Sequence, residues 1–358
     1  MPQFKDNELT AAVIRSFEET PDPRVKFLLQ ELVKSLHDFV RKTDLSFDEW
    51  GYAIDFLTRT GQKCTPTRQE FILLSDVLGV SMLVDAVNHR QRDGATETTV
   101  LGPFYVGEHK TMPHGADISA DLSGDRMFVQ SRVTDLAGKP LAGVPVDVWH
   151  ADDDGFYDSQ RPSYETQGPS SRARFVTDAD GRFFFRTILP CSYPIPTDGP
   201  VGEMILQTRR HPMRPAHVHF LVNAPGYEPL ITHVFIEGDK YLDTDVVFGV
   251  KDDLISRIEK RSDPVMPDGK PASGPWHLMA YDFRVKPGAG TAPEAADGGD
   301  RGCLTAFAPS SAHLLCDAQR LSESQILAAR KVPRATLALS LTYSKIITFC
   351  IAVAWHEA

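Results

Sequence analysis

The sequence predicts a mainly β fold, an antiparallel β-sandwich preceded by an N-terminal α-helical layer. Three observations predict it. Residues 8–90 carry apolar side chains at three- and four-residue steps, the period of amphipathic helices. Beyond Gly94 the pattern becomes short alternating runs divided by turn residues, as in the strands of a sandwich. Nowhere do strands and helices alternate in a βαβ rhythm, which argues against a parallel α/β sheet.

The helical region opens behind Pro21 and Pro23, and Val25, Leu28, Leu29, Leu32, Val33, Leu36 and Val40 then form one stripe. Ser46-Phe-Asp-Glu49 is a capping-box pattern, predicting a helix that carries Trp50, Ala53, Phe56 and Leu57. After Thr65-Pro66-Thr67 a further helix is expected, with Phe71, Leu74, Val77, Leu78 and Ser81 on one side. So broad an apolar stripe ahead of a self-sufficient sandwich needs a cover, and a homodimer through this layer would supply it.

Leu101-Gly-Pro-Phe-Tyr-Val106 reads as a tight loop, and strands begin near Met127. Val144, Val146 and Val148 alternate with Pro145, Asp147 and Trp149. Asp178-Ala-Asp-Gly181 is a turn before the strand Arg182–Leu189. His217–Val222, Leu230–Ile236 and Trp276–Val285 supply further strands. The expected organisation is a helical domain over 1–95, a sandwich over 96–286 and an appendage over 287–358. Residues 287–302 have linker composition, rich in Gly, Ala, Pro and Asp. Thr336–Trp355 is apolar and long enough to span a bilayer, but Lys345 sits near its middle among five Ser and Thr residues. An appendage or a helix packed on the body is expected there rather than a membrane tail.

Composition narrows the partners. The chain has 358 residues, 42% hydrophobic and 24% charged, an ordinary soluble mixture. A net charge of −10 without a basic stripe argues against nucleic acid. Cys64, Cys191, Cys303, Cys316 and Cys350 lack metal-type spacing and read as reduced thiols. With no apolar signal core behind Met1, a cytoplasmic protein is expected.

The chemistry centres on Arg214-Pro-Ala-His-Val-His-Phe220. On a strand, His217 and His219 project from one face and their imidazoles meet, as a transition-metal site requires. Tyr157 follows a glycine and Tyr193 precedes a proline, so both backbones are pinned. Two phenols with two imidazoles suit a hard, highly charged ion, Fe(III) rather than Zn(II) or Cu(I), because a phenol of ordinary pKa near 10 ionises at neutral pH only beside a strong Lewis acid. For each tyrosine alone, a core or surface role is the competing reading.

Together, Val148-Trp-His-Ala-Asp-Asp-Asp-Gly-Phe-Tyr157, Leu189-Pro-Cys-Ser-Tyr193 and Arg214-Pro-Ala-His-Val-His219 resemble the intradiol ring-cleavage dioxygenases, a family of non-haem Fe(III) enzymes. The resemblance covers residues 8–285. Tyr193-Pro-Ile-Pro-Thr-Asp-Gly-Pro, the Asp152-Asp-Asp-Gly-Phe-Tyr157 segment and Thr232-His-Val-Phe look most like the hydroxyquinol branch, and catechol-cleaving relatives usually carry glutamine where this chain has His233.

The resemblance implies that Tyr157, Tyr193, His217 and His219 bind Fe(III). It implies that Tyr193 yields its place to substrate and takes up a proton, and that Arg214 stabilises the charge developing on the ring. His233 would stand just outside the ligands, or merely pair with backbone. Leu73, Asp76, Val100, Gly102, Pro103, Phe104, Ile195, Pro196 and Arg214 would line the ring pocket, and Asp76 would receive the third hydroxyl of hydroxyquinol. An ordinary helix-surface or ion-pair role is the alternative for Asp76. Some relatives hold a lipid in their helical layer, where Leu28, Leu29, Leu32 and Val33 lie here. The implied reaction joins an aromatic diol or triol with O₂, with catechol and chlorocatechol as alternative substrates. A non-catalytic β-module needs none of these residues, and a Zn(II) hydrolase would need a third ligand and a nucleophile that the sequence does not offer.

Overall fold

A computed structural model describes residues 6–65, 68–89, 94–107, 109–161 and 163–288. The described chain divides between Cys64 and Thr65 into two compact units. The first contains α1 (Asp6–Arg15), α2 (Pro23–Thr43) and α3 (Phe47–Lys63). Asp22 caps α2 by accepting from Arg24 N and Val25 N, with Pro23 in the first turn where a missing N–H costs nothing. Ser46 and Glu49 form the capping box of α3 in both directions. Phe27, Phe47 and Trp50 stay exposed on these helices. Of the α2 residues suggested for lipid, Leu29 is buried and Leu28, Leu32 and Val33 are half-buried.

The second unit begins with two short helices where the sequence suggested one. α4 (Glu70–Val77) stops at Leu78, and α5 (Val80–Asn88) starts behind Gly79. Gly79 has φ +71, a left-handed conformation that interrupts the helix and that glycine adopts without penalty. The rest is β1 (Arg126–Asp135), β2 (Pro145–Trp149), α6 (Tyr164–Gln167), β3 (Arg172–Val176), β4 (Arg182–Ile188), β5 (Tyr193–Pro194), α7 (Pro200–Gln207), β6 (Met213–Arg214), β7 (His217–Val222), β8 (Leu230–Ile236), β9 (Ile255–Ser256), β10 (Ile258–Arg261), β11 (Trp276–Ala280) and β12 (Phe283–Val285).

One five-stranded sheet runs β10-β11-β1-β12, with β4 also on β1, and the other runs β3-β2-β7-β8-β9. Pairing is mostly antiparallel, as expected, but β1 runs parallel to β11 and β12, and β8 to β9. The stretch read as one strand, Trp276–Val285, breaks at Tyr281 and Asp282 into β11 and β12, which pair with successive parts of β1. The Asp178 turn forms as read: its carboxylate accepts from Asp180 N and Arg182 N, and Gly181 has φ +74.

Alternate side chains of the two sheets build the core. Met127, Val129 and Val133 of β1 and Phe183 and Phe185 of β4 face Val146 and Val148 of β2, Val218, Phe220 and Val222 of β7, and Val234 of β8. Because strand side chains alternate, this core assigns Trp149, His217, His219 and His233 to the outer face of the second sheet. They are nevertheless buried, at 0–1% exposure, because loops cover that face. The expected C-terminal appendage, apart from Pro287 and Gly288, lies outside the described residues, as do Thr336–Trp355 and Cys303, Cys316 and Cys350. No described helix is long and apolar enough to cross a membrane.

Candidate metal centre and ring pocket

Strand register builds the floor of the site. Trp149 on β2 lies opposite His219 on β7, and His219 lies opposite His233 on β8. Trp149 stacks on His219 with ring centres 4.6 Å apart and 16° between planes. His217 and His219 point the same way, and their Nε2 atoms are 3.2 Å apart. His217 Nδ1 lies 2.7 Å from Pro215 O, so that nitrogen carries the proton and Nε2 presents a lone pair.

Tyr157 arrives on the loop after β2. Asp152 organises that loop by accepting from Asp154 N and Phe156 N on one oxygen and from Arg161 on the other. Tyr157 N donates to Gln160 Oε1, and Phe104 stacks on the phenol at 4.3 Å. Gly155 makes the approach possible. Its φ is +86, and a Cβ there would sit 2.8 Å from Tyr193 Cβ. Tyr193 stands on the two-residue ribbon β5–β6, directly opposite Arg214.

Four donors therefore converge. Tyr157 Oη is 3.1 Å from Tyr193 Oη, 3.3 Å from His217 Nε2 and 2.8 Å from His219 Nε2. Burial drives His217 and His219 well below the ordinary histidine pKa, so both imidazoles are neutral, the form that ligates. Burial first, and then the adjacent Tyr193, push the Tyr157 phenol well above its ordinary value. Only a strong positive charge at the convergence point would ionise it at neutral pH. The donors present thus fit a highly charged metal ion, and His233 brings a third imidazole into the same cluster.

Arg214 is buried behind the donors. Its Nη1 lies 3.3 Å from His217 Nε2, and its Nη2 lies 3.4 Å from His233 Nδ1. Asp245 takes the other edge, with Nε–Oδ1 at 3.2 Å and Nη2–Oδ2 at 3.3 Å. Although burial alone would lower it, the facing Asp245 raises the Arg214 pKa, so the guanidinium stays charged. His233, also driven down by burial, is neutral.

The residues suggested for a ring pocket come from three segments. Leu73 and Asp76 lie on α4, Val100 to Phe104 on the covering loop, and Ile195 and Pro196 just beyond β5. Asp76 and Ile195 are buried, Pro103 is exposed, and the rest are half-buried. Gly102, at φ +78, leaves its loop close to the imidazole: a Cβ there would lie 3.2 Å from His219 Cε1. Asp76 is 6% exposed, so a helix-surface role is ruled out for it. Burial pushes its carboxyl up to about 6, against a Ser81 hydrogen bond and the charge of Arg214. A separate cleft of about 540 Å³, lined by Arg209, Arg210, His211, Thr244 and Phe248, also includes Asp245 but none of the four donors.

Several contributors carried no sequence signal. Arg172 on β3 grips Asp158, the residue after Tyr157, and donates to Phe104 O, tying both walls of the site together. Asp245 stands 31 positions beyond Arg214 in an unremarkable segment. Trp149 read as a strand residue and as part of the motif that leads to Tyr157, with no role of its own.

A family profile described as "Dioxygenase" matches residues 100–287, and one described as "Catechol dioxygenase N terminus" matches residues 22–96. The 6-chlorohydroxyquinol 1,2-dioxygenase of Cupriavidus pinatubonensis is 49% identical over 263 residues, covering 74% of this chain and 95% of its own. The chain belongs to the intradiol ring-cleavage dioxygenases. The hydroxyquinol 1,2-dioxygenase of Nocardioides simplex is 44% identical, covering 80% of this chain and 97% of its own. The crystal structure of hydroxyquinol 1,2-dioxygenase from Pseudomonas putida DLL-E4 superposes with a TM-score of 0.73 at 44% identity, covering 79% of this chain and 99% of that one. The family uses iron and acts on aromatic diols with O₂, which fits the donor set found on β7, the Tyr157 loop and β5.

Proposed function

We propose that this chain cleaves hydroxyquinol, benzene-1,2,4-triol, between its adjacent hydroxylated carbons. Both atoms of O₂ enter the product, 3-hydroxy-cis,cis-muconate, the enol form of maleylacetate. The convergence of Tyr157, Tyr193, His217 and His219 carries this reading, because Oη and Nε2 atoms spaced 2.8–3.3 Å apart can share one ion. Iron held there in the ferric state supplies the Lewis acidity that keeps phenols and catechols ionised and makes the ring reactive toward O₂.

The side chains divide the remaining work. Tyr157 is fully enclosed and pinned through Gln160 and Phe104, so it stays in place throughout. Tyr193, on the two-residue ribbon opposite Arg214, would be the phenolate that yields its place to substrate, its Oη accepting a proton from the incoming hydroxyl. Arg214 holds its charge beside the donors and would stabilise the negative charge that develops on the substrate ring before it opens. His233, neutral and against Arg214, borders the space where O₂ reacts.

Leu73, Val100, Gly102, Pro103, Phe104, Ile195 and Pro196 give the flat, mostly apolar walls that an aromatic ring fits. Asp76 is a buried carboxylate among the suggested lining residues and in this reading receives the third hydroxyl of hydroxyquinol. Catechol lacks that hydroxyl and leaves the buried carboxylate one partner short, with only its Ser81 hydrogen bond, at a cost of about 1–3 kcal/mol, or roughly ten- to a hundred-fold in rate. The exposed Phe27, Phe47 and Trp50 support a homodimer through the helical layer, and Leu28, Leu29, Leu32 and Val33 support a lipid tunnel there. Free Cys64 and Cys191 accord with a cytoplasmic location.

Oxygen uptake on hydroxyquinol and catechol tests the proposal. The iron-loaded protein should be burgundy from tyrosinate absorption and should strongly prefer hydroxyquinol, a preference that Asp76→Ala erodes. Equal rates on both substrates would overturn the substrate assignment. A colourless protein with stoichiometric zinc would overturn the metal assignment.

A further inference from the structure

We propose that Asp245 is the positioning residue for Arg214, holding the guanidinium edge-on to the donor cluster through a turn over residues 245–249. The inference rests on the reading of Arg214 given above. The carboxylate is 5% exposed and has a full complement of donors. Its Oδ1 accepts from Arg214 Nε at 3.2 Å and Val247 N at 3.3 Å, and its Oδ2 accepts from Arg214 Nη2 at 3.3 Å and Gly249 N at 3.0 Å. By taking the Nε–Nη2 edge it leaves Nη1 as the edge turned to His217. Asp245 itself makes no hydrogen bond to any of the four donors, so it reaches them through the arginine.

The turn is built for this grip. Val246 N donates to Met213 O on the ribbon that carries Arg214, which fixes the acceptor and the arginine to one frame. Phe248 N closes the turn on Asp245 O at 3.0 Å, and Phe248 holds a left-handed φ of 58, a conformation bulky residues rarely adopt. Arg210 anchors the outside, donating to Val246 O at 2.9 Å and lying over the Phe248 ring. Gly249 leaves the contact open, since a Cβ there would come within 3.1 Å of Asp245 Oδ2 and 3.2 Å of Arg214 Nη2. A salt bridge kept only for stability would not need a glycine at the pair, or strained backbone around it.

The test compares Asp245→Asn, Gly249→Ala, Arg214→Lys and the Asp245→Asn/Arg214→Lys double variant as iron-loaded full-length proteins. Asp245→Asn should keep its iron and tyrosinate colour and should bind hydroxyquinol anaerobically within about threefold of wild type, while kcat falls about tenfold or more, because only transition-state stabilisation is lost. The double variant should be no slower than Arg214→Lys, since two residues acting as one unit do not multiply their losses. Gly249→Ala removes no charge and should show the same split more mildly, which covers the case in which Asp245→Asn does not fold. Crystals of either variant should show the Arg214 guanidinium turned from its wild-type orientation. Wild-type kcat in both variants, multiplying losses, or an unmoved Arg214 would overturn the proposal. The crystallographic arm does not depend on the substrate, so a wild type inactive on hydroxyquinol would count against the substrate reading and leave this one decided by Arg214's position.

Discussion

Replacing Asp76 by asparagine should make the protein more stable at neutral pH. The carboxyl is 6% exposed, and burial raises its pKa from 3.8 to about 6. A folded-state pKa above the unfolded one means that the folded protein binds more protons between those two values. Stability contributed by this group is therefore present below pH 3.8, declines as pH rises through the window, and is lost above about 6. The difference amounts to about 3 kcal/mol at pH 7.5, at about 1.4 kcal/mol per tenfold. Asparagine has nearly the same volume, can keep a hydrogen bond to Ser81, and bears no charge to desolvate. Thermal melting of both proteins across pH checks this. The variant should melt higher by about 6–12 °C at pH 7.5, taking about 2–4 °C per kcal/mol for a unit of this size, and the gap should close toward pH 4. A gap that does not change with pH, or a variant that is less stable at pH 7.5, would refute the reasoning. A carboxylate kept where it destabilises the fold is the expected signature of a residue retained for binding.

Tyr157→Phe removes one of the two phenol donors, which a neutral imidazole such as His233 does not replace in charge, and metal analysis should find iron lost or its visible band bleached. Gly155→Ala meets both a positive φ and Tyr193 Cβ at 2.8 Å, so it should destabilise by roughly 1–3 kcal/mol and weaken iron retention, read by urea titration and iron content. A chain ended after Gly288, which keeps the Gly288 N–Gly226 O bond, should fold and turn over like the full chain, because β12 already completes its pairing with β1. Loss of iron from that truncated chain would show that residues beyond 288 belong to the fold.

Local chemistry and period determined much of this protein from sequence alone. The Ser46 capping box, the Asp178 turn and the alternation through β2, β7 and β8 depend on neighbours within a few residues, so they were legible. His217 and His219 were legible for the same reason, as a strand places residues two apart on one face. Tyr157, Tyr193 and Arg214 became readable as a set through their motifs and a family likeness, not through any local rule. Tertiary structure alone decided what surrounds them. Whether a helix runs on through Leu78 or breaks depended on the left-handed turn at Gly79, and Trp276–Val285 divides because its halves meet different parts of β1. Trp149 stacks on His219 only because register sets them opposite each other. Asp245 reaches Arg214 across 31 positions, and Arg172 reaches Phe104 across 68. Such contacts follow from how sheets and loops close in space, and a linear sequence records the residues but not the closure.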